Sequence, residues 1–147
     1  MSESIKELAA QSIVEIISGL SSVKRVRRVL ATYDEAVGFA STELPAVAVV
    51  ERSFESECVR AGHYSEIQEK TTRIDFLVTI YIHGDRTPET RLNAILLDII
   101  AALEGDQDLG GVAHHLDCVS GERDSLSPLH MQSLTVRVVY HHNARTI

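Results

Sequence analysis

From Ile74 to Ile82 every second residue is apolar: Ile74, Phe76, Val78, Ile80 and Ile82 alternate with Asp75, Thr79, Tyr81 and His83. A period of two places the first set on one face of a strand and the second on the other. Such a strand has one face that must be covered, and the chain supplies two segments with helical spacing to cover it. Ile5, Leu8, Ala9, Ile13, Ile16, Ile17 and Leu20 recur at three and four residues. Ser4 and Glu7 precede them at capping-box spacing, and Gly19 stands where a left-handed cap would close the helix. The pattern returns in Leu92, Ile95, Leu96, Ile99, Ile100 and Leu103. There Thr87-Pro88-Glu89 reads as an N-cap with proline at the first helical position, and Gly105 ends the run.

Further strands are expected at Val23–Tyr33, at Ala46–Glu51 after Leu44-Pro45, and at Val112–Val119. A last strand shows Leu134, Val136, Val138 and Tyr140 alternating with Thr135, Arg137 and His141. Gly121–Pro128 reads as a polar connection. The expected fold is α+β, a mixed and mainly antiparallel sheet of four to five strands forming one domain over residues 1–147. Both amphipathic helices pack on one face of it. The opposite face is then left open, and apolar side chains there invite a partner.

Residues 52–72 break the pattern. Arg52, Glu55, Glu57, Arg60, Glu66, Glu69 and Lys70 follow no helical period, and few apolar residues could anchor the segment. Long stretches without structure of their own are uncommon in compact domains and are usually functional. The reading is a projecting β-arm or loop that turns near Gly62. Arg52, Glu55, Glu57, Arg60, His63, Tyr64, Glu66 and Glu69 become candidates for a subunit interface; the plainer account is a solvated surface loop.

With 147 residues, 44% apolar and 24% charged, the chain has the composition of a globular domain. No apolar run approaches the ~20 residues of a membrane span. Met1-Ser2-Glu3-Ser4 has no basic stretch ahead of an apolar core, which argues against a secretory signal. Cys58 and Cys118 lie far apart without a CxxC pattern and are read as reduced thiols, one disulfide being the alternative. A net charge of −7 argues against nucleic-acid binding over the whole surface. The absence of Trp argues against base-stacking platforms as well.

Catalytic signatures are missing. No GxSxG elbow, phosphate loop or acidic calcium-loop spacing occurs, and no cofactor is implied. The histidines leave one chemical alternative. His115 and Asp117 share a strand face, and His141 or His142 could join them as a third metal ligand if the two strands pair. Outward-facing polar residues on antiparallel strands explain the same positions. The run Lys24-Arg25-Val26-Arg27-Arg28 is the main basic feature, with Arg25 and Arg27 on one strand face and Lys24 and Arg28 on the other. It reads either as a contact for an acidic partner or nucleic acid, or as an edge strand blunted by charge.

Taken in order, these features resemble the tail terminator (minor tail or tail completion) proteins of tailed bacteriophages. The resemblance rests on the opening helix and on Glu43-Leu44-Pro45-Ala46-Val47-Ala48-Val49. It continues through the charged insert, the alternating strand and the helix ending Ala101-Ala102-Leu103. Asp108-Leu109-Gly110-Gly111 and the closing Val138-Val139-Tyr140 complete it.

The resemblance implies a hexameric ring that caps the head-proximal end of the tail tube, stops its polymerisation and meets the head–tail connector or stopper protein. Partners would be other copies of the chain, the tail tube protein and the connector. The setting would be the virion neck, assembled in the host cytoplasm. Lys24, Arg25, Arg27 and Arg28 could then line the lumen through which DNA passes. Rival readings are a neighbouring head-closure subunit, a small metal-dependent enzyme built on the histidines, and a bacterial adaptor module.

Overall fold

A computed structural model describes residues 4–31, 35–36, 38, 44–61, 68–84, 86–106, 109, 113, 115–126 and 128–143. The elements run α1 (Ile5–Ser18), β1 (Arg25–Arg27), β2 (Ala46–Ala61), β3 (Gln68–His83), α2 (Pro88–Glu104), β4 (His115–Ser120), β5 (Arg123–Leu126) and β6 (Leu129–Asn143). The fold is α+β, with two helices among the described residues and a mixed, mostly antiparallel, six-stranded open sheet. Strand order is β1-β2-β3-β6-β4, and β5 also pairs with β6. Among the described residues only β1 and β2 pair in parallel.

Both helices form where their periodicity places them. The Ser4 side chain accepts a hydrogen bond from the Glu7 backbone N–H, satisfying one of the free donors of the first turn. Ala9, Ala10, Ile13 and Ile17 are buried on α1, and Leu92, Ile95, Ile99 and Leu103 on α2. Two details of the expected caps differ. Gly19 and Gly105 end their helices at φ −75° and −72°, still right-handed, by donating back to carbonyls of the final turn. Thr87 makes no side-chain capping bond. Pro88 compensates, since its missing N–H is one that the first turn would have left unpaired.

Both helices cover one sheet face. Their apolar residues join Val47 and Val49 of β2, Ile74, Phe76, Val78, Ile80 and Ile82 of β3, Leu116 of β4, and Leu134, Val136, Val138 and Tyr140 of β6 in one core. Each such side chain stabilises the fold by about 1.5–3 kcal/mol in apolar surface removed from water. The opposite face is only half open. Tyr81, Ala46, Ala48 and Leu129 form a second buried cluster there with Ala36 and Leu44. The Ala31 backbone N–H donates to the Tyr81 hydroxyl at 3.2 Å, and the His83 ring bonds the Ala36 carbonyl at 2.8 Å. Residues after β1 therefore cover one end of that face.

The sheet departs from expectation at its margins. The strand expected over Val23–Tyr33 is only Arg25–Arg27, because the chain then turns away to cover Tyr81. The strand expected at Val112–Val119 is His115–Ser120. Within the supposed connection Gly121–Pro128 lies β5, which forms a hairpin with β6. That pairing rests on polar contacts, with Arg123 Nε donating to Gln132 Oε1 at 3.0 Å and Ser125 bonding His130 at 2.9 Å. β4 and β5 together occupy the outer flank of β6. At their junction Gly121 has no Cβ, and one there would collide with the Ser133 carbonyl.

Candidate functional site

Within the charged insert, residues 52–61 and 68–72 are strand. β2 and β3 each run 16 residues and pair from Ala46–Tyr81 out to Ala61–Gln68. The register shifts between Glu51 and Ser53 and again between Cys58 and Arg60. Such bulges bend a strand and increase its twist, so they re-aim the outer part of this arm relative to the core sheet. The last residues of β6 pair with Glu69, Lys70 and Thr71. The base of the arm is therefore three strands wide.

A band of charge crosses these strands on the face away from the helices. Arg137 on β6 grips Asp75 on β3 through Nε–Oδ1 at 3.0 Å and Nη2–Oδ2 at 3.3 Å, the two-pronged geometry that guanidinium and carboxylate share. The hydrogen bond to Asp75, reinforced by its charge, raises the Arg137 pKa. Next along the band, His115 Nε2 lies 3.0 Å from Asp117 Oδ2 on β4. Asp117 stands opposite Arg137, and Glu55 opposite Arg73. Thr71 and His141 join by a side-chain bond of 2.7 Å. A recess of about 320 Å³ opens on this band, lined by Ser53, Phe54, Glu55, Arg73, Asp75 and Arg137. Phe54, opposite Ile74, is 52% exposed on the helix-bearing side, where the ammonium of Lys6 from α1 sits 4.4 Å from its ring centroid.

The candidate interface residues fall unevenly on this surface. Arg52 and Glu55 are exposed on β2. The backbones of Glu57, Arg60 and Glu69 lie in the arm, with Glu57 opposite Thr71 and Arg60 opposite Glu69. His63, Tyr64 and Glu66 lie outside the described residues. Arg73, Asp75 and Arg137 were not among the candidates, although their polar positions in two alternating strands marked them as outward-facing. What the sequence withheld was their pairing, since Asp75 and Arg137 are 62 residues apart with α2 between them.

In the basic run, Arg25 and Arg27 share a strand face, opposite Ala46 and Ala48. Arg27 pairs with Glu35 at 3.3 Å, while Arg28 reaches Glu7 on α1 at 2.9 and 3.2 Å. The hydrogen bond from Arg28 holds the Glu7 carboxyl below its usual pKa. Lys24 is exposed beside a second recess lined in part by Ser22, Arg91 and Asp98. The run thus forms the margin of the sheet, and the guanidinium groups of Arg27 and Arg28 are engaged within the chain.

The metal alternative finds its first two residues side by side, His115 Nε2 3.0 Å from Asp117 Oδ2. Among the described residues no three His, Cys, Asp or Glu side chains come together as a metal site. His141 bonds Thr71 instead, and the side chain of His142 lies outside the described residues. Cys118 is a free thiol half-buried under α2, its pKa pushed up to about 11 by burial and then by Glu104 and Asp117. That suits packing rather than nucleophilic attack. No helix among the described residues is long and apolar enough to cross a membrane. Neither the models of known protein families nor the curated proteins give a match to this chain.

Proposed function

We propose that this chain is a ring-forming assembly subunit of the phage tail-terminator kind, closing the head-proximal end of a tail tube and meeting the head-side connector. One observation carries the reading: β2 and β3 extend well beyond the core. Among the described side chains of β2 the last buried one is Val49, yet the strand continues to Ala61. A strand pair of that length buries little within its own subunit and must earn its order against something else. The charged band at its base offers alternating signs, which set register and discriminate partners more than they add raw affinity. The resemblance in the order of elements points the same way.

The test is reconstitution with the tail tube protein from the same genome. Added subunit should bind one end of growing tubes and halt elongation, as seen by negative-stain electron microscopy. Tubes that lengthen unchecked, with no subunit bound at either end, would refute the reading.

A further inference from the structure

We draw no further inference here: the strongest candidate, the recess at the base of the arm lined by Glu55, Arg73 and the Asp75–Arg137 pair, holds two acidic and two basic side chains whose charges cancel, so nothing in the structure selects a ligand for it.

Discussion

At the scale of single residues, environment rather than identity decides chemistry. Cys118 faces the core beneath α2, where burial disfavours the thiolate and Glu104 and Asp117 disfavour it further. With its pKa at about 11, the thiolate fraction at pH 8 is on the order of 0.1%. In a Cys58→Ser background, labelling by a thiol reagent should be slow at pH 8 and accelerate as pH rises towards 11. Rapid labelling at pH 7 would show the site to be open. The pairing of His115 with Asp117 was legible in the sequence, because i and i+2 on any strand share a face. The Asp75–Arg137 pair was not, since strand register across 62 residues depends on how α2 returns the chain. Both partners are partly exposed, so solvent screening holds the contribution of that pair to about 1 kcal/mol or less. Its use lies in fixing the surface, not in stabilising the fold.

At the scale of elements, apolar periodicity marked what the core contains and little else. The helices and the inner halves of β3 and β6 followed from spacing, because each buries one face. The described side chains of β2 from Arg52 to Glu55 are exposed, so this stretch shows charges where alternation would be sought. β5 was missed for a related reason: its partner contacts are Gln132 and His130, neither of which announces a strand. The length of β1 was overread because Val29 and Leu30, apolar in sequence, are 64% and 43% exposed after the chain leaves the sheet. The arm yields a direct prediction. Joining Ser56 to Thr72 through an Asn-Gly turn removes the outer hairpin but spares the core, which begins at Val49 and Ile74. The shortened protein should melt within about 5 °C of the parent and fail to cap tubes. If it is unfolded in a calorimetric scan, the arm belongs to the core and the functional reading of it collapses.

At the scale of the whole molecule, net charge opposes any assembly of copies. A net charge of −7 pushes them apart, and the Debye length at physiological ionic strength is about 8 Å, so salt screens that repulsion. If copies form the proposed ring, raising sodium chloride from low to physiological concentration should strengthen self-association in light scattering. Association that weakens with salt would mean that attraction between opposite charges, and not overall repulsion, governs the contact.

The long central ladder has a mechanical consequence. β3 and β6 pair over 15 residues, from Glu69–Asn143 at the arm to His83–Leu129 at the other end. A pull along the arm loads this ladder in shear, so its hydrogen bonds must yield together rather than peel one at a time. Forced unfolding is governed by the rate of crossing that barrier. The subunit is thus built as a stiff strut along one axis, able to carry tension from the arm directly into its core.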